Sequence, residues 1–355
     1  MPTHPLDDLD HLKRLDPKGM YDLTVAFPDQ CRQALAVARE VDFGPAVAQA
    51  KLAALTGLGG SAAGGDLVRC LFEDQAGVPF LVNRDYELPN FVGVGDVVFA
   101  TSYSGNTEET LSAYEHAKRL GARLVVVTSG GRLAELARQD GNTLVVIPGG
   151  QPPRTALGFM TVPVIAACEA MRFLPEQPHE RAYALLEECA RDWGVDTPFE
   201  QNEAKQLAQA LHGKLPILYG LGGWQALVAN RWKGQINENS KNMAFANAFP
   251  ELNHNEILGW VKAGEQGVAS WVVVYLESGQ ETQKIRTRGR VTEELIRDLA
   301  AVHRVRARGE SLYERLLSLT YLGDFVSIYL ASLNGVDPEN IDSINILKAE
   351  LSKIA

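Results

Sequence analysis

Cysteine is scarce in this chain. Four occur in 355 residues, Cys31, Cys70, Cys168 and Cys189, and no two form a C-x-x-C pair. That spacing suggests neither a zinc site nor a redox dithiol, and buried free thiols are expected. Positive charge is short as well: 34 Lys and Arg stand against 44 Asp and Glu, a net charge of -10 with a sequence pI near 5.3. General nucleic-acid binding needs a basic surface and is not expected. Any anionic ligand must then be held locally, by helix ends and a few basic side chains. No apolar run approaches the roughly 18 residues of a membrane span. Met1–Asp16 is polar and charged, without a secretory apolar core, so the cytoplasm is the expected compartment. What remains, 46% hydrophobic and 22% charged, is the composition of a globular protein, and the length calls for two domains.

The chain is organised around Asp96–Thr110. Val97–Ala100 is a short, β-branched apolar run and reads as a buried strand. Thr107–Leu120 carries Leu111, Tyr114, Ala117 and Leu120 at helical spacing. Between them lies Thr101-Ser102-Tyr103-Ser104-Gly105-Asn106, a turn of hydroxyls around one glycine. A strand feeding a helix this way leaves backbone N–H groups at the helix N-terminus, which also carries about half a positive charge. An anion suits that place, with Ser102, Ser104 and Thr107 as added donors. No lysine follows the glycine, so this is not the nucleotide P-loop, and one phosphate monoester fits better than a triphosphate. The same turn also fits an ordinary capped helix, with Ser104 or Thr107 as N-cap.

Around this stretch strands and helices alternate. Strands are expected at 53–58, 78–82, 96–101, 123–128 and 143–147, with helices after the first, third and fourth. Such alternation implies parallel strands and a doubly wound α/β sheet, with ligands at the carboxyl ends. Gly59-Gly60-Ser61 and Ser102–Thr107 both fall there. Gly57–Ala62 also fits the G-x-G-x-x-A dinucleotide pattern, but that reading gives the serine loop no role. After the Pro/Gly-rich break Pro148–Pro153 comes Arg154, either a solvated linker arginine or a forked donor set for a phosphate.

Residues 1–50 read as a helical arm broken by prolines, with no chemistry visible. The second half repeats the α/β plan from Leu215. Trp224, Val228, Trp232 and Ile236 are spaced four apart as core, and 277–291 reads as a surface loop followed by a helix over 292–301. The expected division is an arm plus first domain over 1–172, a connection over 173–200, and a second domain with a C-terminal helix over 201–355. Two further stretches carry proton-transfer material: Glu238-Asn239-Ser240-Lys241, and His254-Asn255 in the loop-like region 241–267.

Ser-Tyr-Ser-Gly-Asn-Thr resembles the phosphosugar loop of SIS (sugar isomerase) domains. The ordered set Gly59-Gly60-Ser61, Ser102–Thr107, Pro153–Leu157, Glu238–Lys241, His254-Asn255 and Leu347-Lys348 resembles the bifunctional phosphoglucose/phosphomannose isomerases, which have two SIS domains. The resemblance covers the chain from about Gly57 onward. It implies that Gly59, Gly60, Ser61, Ser102, Ser104, Thr107 and Arg154 hold the sugar phosphate. It also implies that Glu238 moves a proton between C1 and C2 through an enediol, and that His254 and Lys348 serve ring opening. The histidine would come from the partner subunit of a homodimer, and no metal or cofactor is implied. The implied reaction interconverts glucose-6-phosphate, with mannose-6-phosphate left open, and fructose-6-phosphate. The family's mannose activity goes with a threonine shortly before the final lysine; Pro338–Ile346 has none, and Ser343 is its only hydroxyl. The competing expectation is a non-catalytic SIS protein that binds a sugar phosphate and regulates a partner. It keeps the serine loop and does not need Glu238, His254 or Lys348. A glucosamine-6-phosphate synthase would need a preceding glutaminase domain, for which the start Met1-Pro2-Thr3 leaves no room.

Overall fold

The computed structural model describes residues 4–45, 50–351 and 353. Residues 1–3 and 46–49 of the expected helical arm, and 352, 354 and 355 of the expected second domain, lie outside them. The chain opens with helices α1 (Leu9–Leu15), α2 (Met20–Val25) and α3 (Phe27–Arg39). The first sheet follows: β1 (Ala53–Thr56), α4 (Gly59–Gln75), β2 (Phe80–Asn83), β3 (Val97–Thr101), α5 (Glu108–Arg119), β4 (Arg123–Thr128), α6 (Gly131–Gln139) and β5 (Thr143–Val146). Helices α7 (Leu157–Ala170), α8 (His179–Trp193) and α9 (Glu203–Leu211) lead on. The second sheet is built from β6 (Leu215–Gly220), α10 (Gly223–Ser240), β7 (Phe245–Ala248), α11 (Glu256–Gly259), β8 (Trp271–Glu277), α12 (Gln283–Ile296) and β9 (Ala301–Arg306). Helices α13 (Leu312–Leu333) and α14 (Asp342–Leu351) close the chain.

Both sheets are wholly parallel, in the orders β2-β1-β3-β4-β5 and β7-β6-β8-β9. The second order is the first without its last strand, in line with the repeated α/β plan expected from Leu215. β1 and β3 are buried along their whole length, which is why their sequences are continuous apolar runs rather than alternating ones. α5 is one-sided instead. It buries Thr110, Ala113, Tyr114 and Ala117, has Glu108 and Glu109 in its first turn and His116, Lys118 and Arg119 in its last, and so suits its own dipole at both ends. Ala54, Val98 and Val126 meet Tyr114, Ala117 and Leu133 in one core cluster.

The chain forms two compact units. One holds Ala26–Glu187 and Gly309–Leu316, with the first sheet; the other holds the chain up to Val25, Glu188–Arg308 and from Leu317 on, with the second sheet. The N-terminal helices are thereby split, unlike in the division at 172 and 201. The segment up to Val25, with α1 and α2, goes with the second sheet because its polar groups are satisfied there. Asp7 receives Lys205 Nζ at 2.7 Å, and the Tyr21 hydroxyl accepts from Val195 N–H at 2.8 Å.

Three expectations about the second half need correction. Residues 277–291 are not simply a loop: α12 starts at Gln283, with Thr282 as its N-cap, and ends at Ile296 instead of running over 292–301. Its buried side, Gly289, Thr292 and Ile296, follows helical spacing hidden by the dense Arg and Lys around it. β7 lies inside the region read as a long loop; its sequence Phe-Ala-Asn-Ala has no β-branched residue and no alternation. α13 is long and apolar enough to cross a membrane by composition, yet 94% of its most apolar window is buried within the protein, as in a core helix. The four cysteines are free and buried. Val228, Trp232 and Ile236 are fully buried, whereas Trp224 is half-buried.

In the unit of the second sheet, α10 is joined to α13 by a polar seam inside an apolar core. Arg231, Gln235 and Asn239 stand four apart on α10. Asp324 accepts from Arg231 at 3.2 Å and from Gln235 at 2.6 Å, and Asn239 donates to Ser327 Oγ at 2.9 Å. Trp232 Nε1 donates to Leu319 O at 2.8 Å, and Gly323 leaves room for the indole. Burial raises the Asp324 carboxyl above its usual range, against the opposing pull of Arg231. Breaking a buried ion pair from one side costs about 3–5 kcal/mol. Asp324→Ala should therefore lose at least about 3 kcal/mol of unfolding free energy in urea titration. Asp324→Asn, which keeps an acceptor for Gln235 and Arg231 but leaves the buried Arg231 charge unmatched, should lose less than Asp324→Ala and still be destabilised.

Candidate active site

In the first sheet the connections part between β1 and β3. β1 leads through α4 to β2 on one side; β3 leads through α5 to β4 on the other. Crevices at such switch points, at the carboxyl ends of the strands, are where open α/β sheets take ligands. Gly59, Gly60 and Ser61 open α4, and Ser102–Thr107 runs from β3 into α5. The two turns are close neighbours: a Cβ on Gly57 would stand 2.7 Å from Thr101 Oγ1, which donates to Thr56 O at 3.2 Å.

Thr107 does occupy the N-cap position of α5, but no side chain among the described residues caps that helix. The Thr107 hydroxyl turns instead to Ser102 Oγ at 2.8 Å, and Ser102 Oγ accepts from Gly105 N–H at 3.1 Å. α4 is likewise without a side-chain cap, since Leu58 stands at its N-cap. Two helix N-termini thus reach the switch point with first-turn N–H groups that no side chain among the described residues caps. Ser61 and Ser102 are buried, Thr107 is half-buried and Ser104 is exposed. Gly59, with φ +53°, allows the sharp entry into α4.

A third helix N-terminus on this edge, that of α6, is consumed by the fold. Leu133 N–H donates to Gly105 O at 2.9 Å and Arg132 N–H to Asn106 Oδ1 at 3.0 Å. Ser129 donates to Tyr103 O through both N–H, at 3.0 Å, and Oγ, at 2.7 Å. The serine loop and the turn after β4 touch backbone to backbone. A Cβ on Gly105, at φ +69°, would run into the Gly130 carbonyl. The loop is therefore held rigidly from behind while its front faces the crevice.

Arg154 sits in a tight turn, Pro153–Thr155, and is 5% exposed. This turn packs on the start of α4: a Cβ on Gly60 would lie 2.7 Å from Pro153 O and 3.5 Å from Arg154 Cα. All seven residues read from the sequence as phosphate or sugar contacts, Gly59, Gly60, Ser61, Ser102, Ser104, Thr107 and Arg154, thus belong to one unit and border one switch point. Sequence reading missed Tyr103, whose hydroxyl accepts from Gln151 N–H at 3.2 Å and ties the loop to the proline strap. It also missed Thr56 and Thr101. A threonine closing an apolar strand was the available signal.

The other three candidates lie in the unit of the second sheet. Glu238 is in the last turn of α10 and lines a cavity of about 380 Å³ with Asn237, Asn242 and the Asn340–Ile344 start of α14. Lys241, left-handed at φ +51°, closes α10: its ammonium donates to Glu238 O at 2.7 Å and Pro338 O at 3.2 Å. Lys348 follows Ile344 by four residues, so it lies on the same face of α14, one turn beyond the cavity. His254 is exposed, on the Glu251–His254 turn after β7, and is not part of that cavity's lining. Asn253 beside it is held by α12, donating to Thr292 Oγ1 at 2.9 Å and accepting from Arg288 at 3.3 Å. Leu258 and Val261 on the same segment are large apolar residues left 70% and 77% exposed.

Family models match both halves: the SIS domain over residues 46–165 and the bacterial phospho-glucose isomerase C-terminal SIS domain over residues 200–351. A bifunctional phosphoglucose/phosphomannose isomerase of Caldicellulosiruptor bescii is 38% identical over 338 residues, covering 94% of this chain and 99% of its own. One from Aquifex aeolicus is 34% identical over 301 residues, covering 84% of this chain and 90% of its own. A hypothetical protein of Thermus thermophilus, 15% identical, matches in fold with a TM-score of 0.73 over 97% of this chain and 93% of that one. With two SIS domains in order and such relatives matching end to end, the chain belongs to the bifunctional phosphoglucose/phosphomannose isomerase family of enzymes.

Proposed function

We propose that the protein interconverts glucose-6-phosphate and mannose-6-phosphate with fructose-6-phosphate as a homodimer. The observation that carries the reading is the pair of helix N-termini without side-chain caps at the β1/β3 switch point, rimmed by Ser61, Ser102, Ser104 and Thr107 and joined by buried Arg154. Such a place suits a dianionic phosphate, because backbone N–H groups, helix dipoles and a guanidinium act together. The competing non-catalytic reading has no support from the relatives, which are named as isomerases.

In this reading Glu238 is the base. On the opened aldose it takes the proton from C2, the C1 carbonyl oxygen gains one, and an enediol results. Return of the proton to C1, with loss of the O2 proton, leaves the ketone at C2. Atoms and charge balance without a redox partner. Abstraction beside a carbonyl needs a carboxylate within hydrogen-bond reach of the carbon, and Glu238 lines a cavity of about 380 Å³. His254 and Lys348 serve ring opening, exchanging the O5 proton. The histidine comes from the partner subunit. Its exposure, and that of Leu258 and Val261 nearby in the chain, support a partner at this segment. Ser343, in the lining of the Glu238 cavity, stands in for the family's threonine and gives the mannose branch its hydroxyl.

Glu238→Gln should cut turnover by about 10²–10⁴-fold, the usual share of a general base, while inorganic phosphate and substrate still bind in calorimetry. Wild-type-like turnover of fructose-6-phosphate in a coupled assay would reject Glu238 as the base. Ser343→Ala should depress mannose-6-phosphate turnover more than glucose-6-phosphate turnover; equal effects on both would remove Ser343 from epimer choice. Unfolding and co-refolding Glu238→Gln with His254→Ala should restore activity that neither variant has alone, because one site of the mixed dimer keeps both groups. Continued inactivity of a verified mixed dimer would place the histidine in its own subunit's site.

A further inference from the structure

We propose that Gln30, in the N-terminal segment, is a positioning residue for the phosphate grip: it fixes the turn that presents Arg154. The inference rests on the reading of Arg154 as a phosphate contact. Gln30 lies on α3 and is 5% exposed. Its amide uses both ends on one target, 125 and 128 residues further along the chain. Nε2 donates to Thr155 O at 2.8 Å, and Oε1 accepts from Gly158 N–H at 2.7 Å. Gly158 is in the first turn of α7, and Ala156 at the N-cap of that helix offers no side-chain acceptor. Gln30 thus acts as a borrowed cap, and in doing so closes the Arg154 turn onto α7.

The Arg154 turn is held at three points. Just before it, Gln151 N–H donates to the Tyr103 hydroxyl of the serine loop. At its first residue, Pro153 lies against Gly60 with no room for a Cβ between them. At its end stands Gln30. The first two points belong to the crevice itself; the third comes from outside the sheet and sets how far the turn can swing away. A guanidinium acts on phosphate through directed forked bonds, so a small displacement of its backbone loses geometry as well as distance. Gly158 fits the same account. A methyl there would stand 2.8 Å from Gln30 Oε1, so even alanine would push the amide off its partners. The helical arm, in which the sequence showed no chemistry, then has a task in binding.

The test measures KM and kcat for fructose-6-phosphate, inhibition by inorganic phosphate, and Tm. It uses Gln30→Met, which keeps length and removes both hydrogen bonds, in the wild-type and Arg154→Ala backgrounds. Gly158→Ala is the second variant and disturbs the same contact from the other side. The expected result is a KM and a phosphate inhibition constant both raised about tenfold, the scale of one misdirected charge-assisted bond, with kcat within about twofold. In the Arg154→Ala background, Gln30→Met should add no further rise, because the two act as one unit. A lower Tm with unchanged KM and phosphate inhibition would reduce Gln30 to a helix cap and overturn the proposal. So would an equal rise in both backgrounds. If Arg154→Ala itself leaves KM unchanged, the phosphate reading of Arg154 fails, a result distinct from failure of Gln30 alone.

Discussion

The site depends on one constraint of chain geometry, the parting of connections between β1 and β3. Parallel strands need crossovers, and crossovers in a twisted sheet keep one hand. When successive crossovers leave toward opposite edges, the two strands at the parting send their helices away from each other. The helix N-termini then remain side by side at the carboxyl edge with nothing between them. Here those ends are the starts of α4 and α5, and neither is capped by a side chain among the described residues. A charge-poor way of attracting an anion suits a chain of net charge -10. The field is local, made by backbone N–H groups and a few hydroxyls, and is short-ranged in salt.

Keeping those groups aimed requires backing. The serine loop is buttressed by the turn after β4, with glycines wherever backbones touch, at Gly105 and Gly131. The loop in turn caps α6, so part of its hydrogen-bonding capacity goes to structure and part remains for a ligand. The Arg154 turn is built in the same manner from outside, by Tyr103, Gly60 and Gln30. In each case a polar group that a helix end leaves over is satisfied by a residue remote in sequence. An anion site built this way would gain from preorganisation, since flexible donors lose entropy on binding.

The second sheet repeats the topology, but its contribution is different. After β8, Glu281 accepts from Ser278 N–H and, at 3.3 Å, from Gln225 Nε2 near the start of α10. The residues of interest sit instead on helix ends and turns. Glu238 is at the C-terminal end of α10, where the seam to α13 and the Lys241 cap fix the helix. α14 carries Lys348 without a single buried residue among those described, and His254 is exposed on a turn that Leu252 anchors in the core beside α12. The two copies of the plan thus differ in what they present: uncapped helix N-termini at the switch point in one, ionisable side chains on helix ends and turns in the other.

By itself the sequence determined the class of fold and the placing of Gly59-Gly60-Ser61 and Ser102–Thr107 at the carboxyl ends of their strands. Buried parallel strands read as continuous apolar runs, and the serine loop is a single contiguous string. Local chemistry written in neighbouring residues is legible without coordinates. The sequence could not reveal that Thr107 turns to Ser102 instead of capping α5, that Gln30 reaches Thr155 and Gly158, or that Asp324 anchors α10. Nor could it reveal α12 under its basic residues, or β7 without β-branched ones. Each of these was decided by the tertiary structure, for one physical reason. Where a donor or acceptor can be satisfied in several ways locally, the choice falls to whichever distant group packing brings within hydrogen-bond reach.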